Sequence, residues 1–199
     1  MCVVGAGSWG TTVASIVAHN AETTLWARRE DLVEEINSRH TNSTYLPEAT
    51  LPDSLRASTD LDELIARADV VAMAVPSQGF RDVAARVATS IGKTTPVVSL
   101  SKGLERSTLM RMSQVLEESM PGNPVAVLSG PNLAREILAG QPAASVVACA
   151  NDAVATTLQG LFSRPTFRLY TNPDVVGCEI GGVVKNVIAI AAEIGRAHV

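Results

Sequence analysis

A chain of 199 residues, 46% of them hydrophobic, has room for one full domain and the start of another, with enough apolar material to bury a core; this excludes a disordered chain. A formal net charge of −4 and a pI near 5.4 leave no basic surface for a polyanion, which excludes nucleic-acid binding as a main role while leaving anionic small molecules open. Cys2, Cys149 and Cys178 are far apart and lack the CxxC or Cys/His spacing of a zinc site or disulfide framework, so no metal is expected and they read as reduced, packed thiols of a cytoplasmic protein.

Met1 leads straight into the first predicted strand and leaves no space for an export signal, and the apolar run at 187–192 is too short to span a bilayer; a soluble protein without stable membrane insertion is expected. The first stretch, Val3-Val4-Gly5-Ala6-Gly7-Ser8-Trp9-Gly10, joins an apolar run to a GxGxxG pattern. The helical spacing of Val13, Ile16 and Val17 follows, which predicts strand, tight turn and helix. Gly5 permits the turn, Gly7 has no side chain to hold a pyrophosphate off the backbone, and Gly10 lets the helix approach the strand. Phosphates bound there meet the positive end of the helix dipole.

Residues 23–26 are β-prone, and Leu32, Val33 and Ile36 give 31–40 helical spacing, so a βαβα alternation begins. An NAD-specific site places an acidic residue at the end of that second strand for the ribose 2′-hydroxyl, whereas this chain has Arg28 and Arg29. They read either as solvated surface charge or as partners for a 2′-phosphate. Pro47 and Pro52 break 45–52, which includes Tyr45, into a loop; 55–59 can form a short strand, and Asp60 can cap a helix running to 68. The continuous apolar run 70–75 suits a strand buried on both faces of a parallel sheet, with Pro76-Ser77-Gln78 at its carboxyl end, the ligand edge of open α/β sheets.

The pattern repeats with a helix over 80–91, a strand over 96–100 and Ser101-Lys102-Gly103 at that strand's carboxyl end. Lys102 reads as surface charge by residue type and as a site residue by position. A helix over 109–118, a strand over 125–128 running into Ser129-Gly130-Pro131-Asn132, a helix with Ala134, Ile137 and Leu138, a strand near 144–148, a helix over 152–161 and a strand over 167–170 follow. These alternations predict a Rossmann-type doubly wound, mostly parallel α/β sheet. The last segment, 175–192, continues as one helix through Gly177, Gly181 and Gly182, and each glycine costs about 1 kcal/mol there relative to alanine. Close helix packing and close approach of a substrate explain them equally. Lys185 and Asn186 lie one turn beyond, among Val, Ile and Ala, where a charge is costly unless paired or functional.

With these motifs in place, the chain resembles the bacterial type of NAD(P)-dependent glycerol-3-phosphate dehydrogenase. The resemblance rests on Gly5-Ala6-Gly7-Ser8-Trp9-Gly10-Thr11, Leu25-Trp26-Ala27-Arg28, Ala74-Val75-Pro76-Ser77-Gln78, Ser101-Lys102-Gly103-Leu104-Glu105, Leu128-Ser129-Gly130-Pro131-Asn132 and Gly181-Gly182-Val183-Val184-Lys185-Asn186-Val187, in that order. Asn132 departs from the pattern, since many members have serine there.

The resemblance implies interconversion of dihydroxyacetone phosphate and sn-glycerol 3-phosphate with NADPH or NADH (cofactors NADP and NAD), a step of glycerophospholipid biosynthesis. It implies a catalytic Lys185, with Lys102 as a neighbouring cation, and burial and that neighbour would lower the pKa of Lys185. Gly5, Gly7, Ser8, Trp9, Gly10, Arg28, Arg29, Tyr45, Lys102 and Ala134 would contact the dinucleotide. Lys102, Gly130, Asn132, Lys185 and Asn186 would contact the phosphorylated small-molecule substrate. No histidine competes, since His19 and His40 fall in or beside surface helices and His198 is in the tail. It further implies a Rossmann domain over 1–172, the first helix of an all-helical substrate domain over 173–199, and an isolated chain that does not turn over; a homodimer of the full-length protein is left open. Residues 193–199 back-translate readily into a short-read sequencing adapter, so an assembly artefact is expected at this end. A reductase of another small carbonyl compound and a non-catalytic dinucleotide-binding module remain the alternatives.

Overall fold

The computed structural model describes residues 1–196, with Asn186 and 193–196 as backbone alone. The chain runs β1 (Cys2–Val4), α1 (Ser8–Val17), β2 (Thr24–Trp26), α2 (Glu30–Arg39), β3 (Thr41–Asn42), β4 (Leu46–Thr50), β5 (Arg56–Ser58), α3 (Leu61–Ala66), β6 (Val71–Met73), α4 (Phe80–Ala88) and β7 (Val97–Ser99). It continues through α5 (Met112–Ser119), β8 (Val125–Ser129), α6 (Ala134–Leu138), β9 (Ala143–Cys149), α7 (Asp152–Phe162), β10 (Phe167–Asn172) and α8 (Val175–Arg196).

Eight strands form one sheet in the order β10-β9-β8-β7-β6-β1-β2-β5, and only the β8–β9 pair is antiparallel. Alternating strand side chains feed two cores, as the period of two requires. Val3, Leu25, Ala72 and Val98 join α1, α2, α6 and α7 on one face, while Cys2, Val4, Val71, Met73 and Val97 join α3, α4 and α5 on the other. From β1 the chain builds outward through β2 to β5, then crosses back to β6 on the opposite side. The resulting reversal between β1 and β6 opens a crevice at the carboxyl ends of those strands.

Three local expectations change. The proline-broken loop over 45–52 is a two-stranded antiparallel hairpin, β3–β4, whose register shifts between Thr41 and Asn42; this irregular pairing tolerates Pro47. The helix expected from residue 109 begins at Met112, because Leu109 adopts φ of 59° and stands outside a helical path. The apolar run judged too short for a bilayer belongs to α8, in which 18 residues, Val175–Ala192, are long and apolar enough to cross a membrane by length and composition.

In this structure α8 docks instead on the domain. Glu179, 5% exposed, accepts hydrogen bonds from Ser113 N (3.0 Å), Ser113 Oγ (2.6 Å) and Arg111 Nη1 (3.0 Å), fastening the helix to the start of α5. Its outer face is bare, with Val187, Ile188 and Ile190 all more than 60% exposed. The expectation for residues 193–199 falls outside what the structure describes: 197–199 entirely, and 193–196 beyond the backbone.

Candidate active site

The glycine turn divides its labour. Gly5 has φ of +116°, and a Cβ there would stand 2.5 Å from the Ala74 carbonyl oxygen, so β1 and β6 close on it. A Cβ on Gly10 would run into the Gly5 carbonyl and stand 2.9 Å from Ala74 Cβ, so α1 presses directly on the turn. Around Gly7 nothing lies within 4 Å of the Cβ position. Gly7 is also the N-cap of α1, without a side-chain cap, and no acidic residue occupies the first helical turn. The first amide groups of α1 therefore point into open space, and no acidic side chain among the described residues lines it.

That space is a cleft of about 570 Å³ at the switch point, and Gly5, Gly7, Ser8, Trp9, Gly10, Arg28, Arg29 and Tyr45 all line it. The two arginines differ. Arg29 forms a two-pronged ion pair with Asp31, with Nε to Oδ1 at 2.9 Å, and this bonding raises its pKa and lowers that of the carboxyl. Arg28 makes no side-chain hydrogen bond or ion pair among the described residues, which leaves its guanidinium free in the lining of the cleft.

The β3–β4 hairpin clamps the turn, a role not foreseen from the sequence. Asn42 is fully buried, and its Nδ2 donates to the Ala6 carbonyl (3.0 Å) and to Thr11 Oγ1 (2.8 Å), joining hairpin, glycine turn and α1. Glu35 of α2 accepts from Ser43 N (2.7 Å) and Thr41 Oγ1 (2.9 Å), and the Ser43 amide is the main cause of its lowered pKa. Between these anchors the hairpin tip presents Tyr45 to the cleft.

Lys102 and Ala134 are not in the lining of that cleft. Lys102 belongs to a second group, with Gly130, Asn132 and Lys185, at the neighbouring strand ends. Lys102 Nζ donates to the Gly130 carbonyl at 2.8 Å. Partial burial lowers the Lys102 pKa, and the Lys185 charge lowers it further. The Lys102 loop is held by Arg81, which bonds Glu105 through Nε to Oε1 (2.8 Å) and Nη2 to Oε2 (2.9 Å) and reaches Glu118 at 2.8 Å. Arg81 and then Thr108 hold the Glu105 carboxyl down to about 2, while the Arg81 pKa rises. Asn132 Oδ1 accepts from Ser145 Oγ at 2.6 Å, yet its Nδ2 is buried without a partner.

The helix glycines resolve unequally. A Cβ on Gly182 would lie 2.6 Å from Ser129 Oγ and 4.0 Å from Lys102 Cγ, so this glycine serves close packing of α8 over the end of β8. Gly177 N instead donates to Asp174 Oδ1 at 2.8 Å in the helix cap, and Gly181 is open. Lys185, three residues beyond Gly182, is exposed, so the burial expected for it is not present; the outer face of α8 is bare where burial required cover. Ala134 is half-buried at the start of α6, and the side chain of Asn186 lies outside the described residues.

An open α1 amino terminus over a bare Gly7, at the switch point of this strand order, defines a Rossmann domain of the dinucleotide-binding class. Residues 1–155 match the family described as NAD-dependent glycerol-3-phosphate dehydrogenase N-terminus, and the chain belongs to that family. It is 53% identical to glycerol-3-phosphate dehydrogenase (NAD(P)+) 2 of Sphingopyxis alaskensis over 97% of this chain and 58% of that protein. It is 51% identical to the glycerol-3-phosphate dehydrogenase (NAD(P)+) of Mycobacterium avium over 97% of this chain and 57% of that one. The crystal structure of glycerol-3-phosphate dehydrogenase from Coxiella burnetii superposes with a TM-score of 0.89 at 34% identity, over 96% of this chain and 58% of that one. The chain thus spans somewhat under three-fifths of the curated relatives it matches.

Proposed function

We propose that the protein interconverts dihydroxyacetone phosphate and sn-glycerol 3-phosphate with NADPH or NADH, in the cytoplasm and in the service of glycerophospholipid synthesis. The observation that carries this reading is Lys102 fixed on the Gly130 carbonyl at the strand ends beside the cleft, with α8, the helix that carries Lys185, packed over it at Gly182. A dianionic phosphate and a carbonyl oxygen that becomes negative both call for cations held in place before the reaction. A nicotinamide, when bound, supplies or accepts the hydride. Gly7 and the α1 amino terminus take the pyrophosphate, Arg28 takes a 2′-phosphate where one is present, and Tyr45 closes the adenine side.

At the other end Lys185 is the acid that gives a proton to the carbonyl oxygen, and it takes the proton back in the reverse direction. Lys102, fixed on the Gly130 carbonyl, is placed to meet the substrate phosphate. The unpartnered Asn132 Nδ2 is a donor in want of an acceptor, which a substrate oxygen supplies. Residues 1–172 act as the dinucleotide domain, and α8 presents Lys185 to a second helical domain. The 199 residues alone do not turn over, because Lys185 remains in water and the apolar face of α8 is uncovered.

The test is a chimera in which the rest of the Sphingopyxis alaskensis relative is joined after α8. It should reduce dihydroxyacetone phosphate with either cofactor and reject unphosphorylated dihydroxyacetone. Cofactor binding without turnover of any carbonyl substrate would leave a non-catalytic module, and turnover of the unphosphorylated compound would point to another reductase.

A further inference from the structure

Lys102 and Lys185 stand on different elements, yet one short loop reaches the supports of both. Just beyond Lys102, Leu104 pairs with Arg111 in an isolated antiparallel bridge. Inside that bridge Glu105 N donates to the Met110 carbonyl at 2.9 Å and Leu109 N to the Glu105 carbonyl at 2.8 Å, so residues 104–111 close on themselves.

Each side of the loop carries an anchor. On the Lys102 side, Arg81 of α4 holds Glu105 with two parallel bonds and reaches Met110 Sδ at 3.4 Å, while Gln78 Nε2 donates to the Leu104 carbonyl at 3.2 Å. On the far side, Arg111 Nη1 donates to Ser113 Oγ at 2.7 Å and to Glu179 Oε2 at 3.0 Å. Glu179 is buried, so neither member of that ion pair can leave without stranding a charge. It lies on α8 just ahead of Gly182, where the helix packs beside the Lys102 stem, and Lys185 follows on the same helix. The path from Arg81 through Glu105, the bridge and Arg111 to α8 is therefore continuous. Burial and, after it, the Lys185 charge lower the Lys102 pKa, so two like charges that repel are kept within each other's field.

We propose that residues 104–111 form a bracket that sets the spacing between Lys102 and Lys185, with Arg81 and Arg111 as positioning residues outside the cofactor cleft. The catalytic consequence of the bracket rests on the dehydrogenase reading, in which a proton donor and a phosphate-binding cation act at a fixed separation. Its geometry does not, and can be read without turnover. The chain holds three lysines, and Lys93, ahead of β7, lies at the opposite edge of the sheet from Lys102, so a Lys102–Lys185 cross-link identified by mass spectrometry is unambiguous.

In the 199-residue chain, difluorodinitrobenzene, which joins amines in near contact, should link the two lysines. Its yield should fall several-fold in Arg81→Gln and in Glu179→Gln, while the longer disuccinimidyl suberate should link them in all three chains. Asn20→Ala removes hydrogen bonds to the Leu161 and Ser163 carbonyls, away from the bracket, and should lower stability with the short cross-link intact. Should Glu179→Gln fail to fold, the partly exposed Arg81 still decides. In the chimera, Arg81→Gln should raise KM for dihydroxyacetone phosphate and lower kcat at unchanged cofactor affinity, with partial recovery in Arg81→Lys. No short cross-link in the parent chain, an unchanged yield in Arg81→Gln, or a loss equal for both reagents overturns the bracket. A parent chimera without turnover would instead sink the dehydrogenase reading, and the cross-links would still decide the bracket.

Discussion

The cleft at β1 and the lysine group at the ends of β7 and β8 share one sheet edge but are built on opposite principles. Around the cleft the work is done by the backbone: Gly5 and Gly10 are squeezed against Ala74 and each other, Gly7 is left bare, and Asn42 locks the turn from behind. Around the lysines it is done by side chains whose positions are borrowed. Lys102 depends on the Arg81–Glu105 pair, and Lys185 depends on the docking of α8 through Glu179. The first kind of site is finished within the residues that form it. The second still has an unpartnered Asn132 Nδ2 and an exposed Lys185.

The largest expected effect falls on the second kind of site. In the chimera, Lys185→Ala should lower turnover by roughly 10²-fold to 10⁴-fold, the usual worth of a positioned proton donor, and leave dinucleotide affinity unchanged. Kinetics alongside a cofactor titration separate the two quantities; near-normal turnover would remove Lys185 from the chemistry. Next comes Glu179→Ala, which leaves Arg111 and Ser113 without their carboxylate and should cost about 3 kcal/mol in urea unfolding. An unchanged midpoint would mean that α8 is held by something other than this anchor.

Arg28→Asp should weaken NADPH by about 1.5–3 kcal/mol, the worth of a charged hydrogen bond, and change NADH little. Arg29→Ala should do less, because Asp31 already occupies that guanidinium. Equal losses for both cofactors in calorimetry would break the assignment. Within the glycine turn, Gly10→Ala should cost about 1–3 kcal/mol by overpacking. Gly7→Ala should leave stability within about 0.5 kcal/mol, because its Cβ meets nothing of the protein. Gly7→Ala should nevertheless weaken the dinucleotide, so thermal melting and cofactor titration on the same two variants set packing against binding.

This contrast also governs what was legible beforehand. A site made of backbone writes itself into the sequence as missing side chains, and the spacing of Gly5, Gly7 and Gly10 is enough to place strand, turn and helix. The mostly parallel sheet and the polar turns at its strand ends follow from the same alternation, whereas the antiparallel β8–β9 pair does not. The hairpin was not legible: its pairing rests on two residue pairs with a register shift, and Pro47 and Pro52 conceal it. Leu109 at positive φ leaves no trace either, since neither glycine nor asparagine marks it. Two anchors carry a signal in the sequence itself. Glu35 falls on the buried stripe of α2 between Leu32 and Ile36, and Glu179 is a lone carboxylate early in an apolar helix. A charge on an apolar face is costly unless bonded, so each position announced a partner without naming it. The exposure of Lys185 was beyond reach, because burial belongs to whatever packs against a helix and not to the helix's own residues.

The smallest effect sharpens the comparison through pH. The Glu105 carboxyl is held down from 4.5 to about 2 by Arg81 and Thr108, so the folded state favours its ionised form. Its contribution to stability is therefore fully present above the unfolded value near 4.5 and fades as the pH falls toward about 2. Glu105→Gln should melt below the parent chain at neutral pH, and the gap should narrow steadily through that acid window. Because Arg81 is partly exposed and also shared with Glu118, added salt should narrow the gap as well. The contacts that close Gly5 and Gly10 against Ala74 contain no titrating group, so the Gly10→Ala penalty should stay constant over the same pH range and salt series. If the Glu105 gap held constant with pH while the Gly10 penalty moved, the division between a side-chain site and a backbone site would fail.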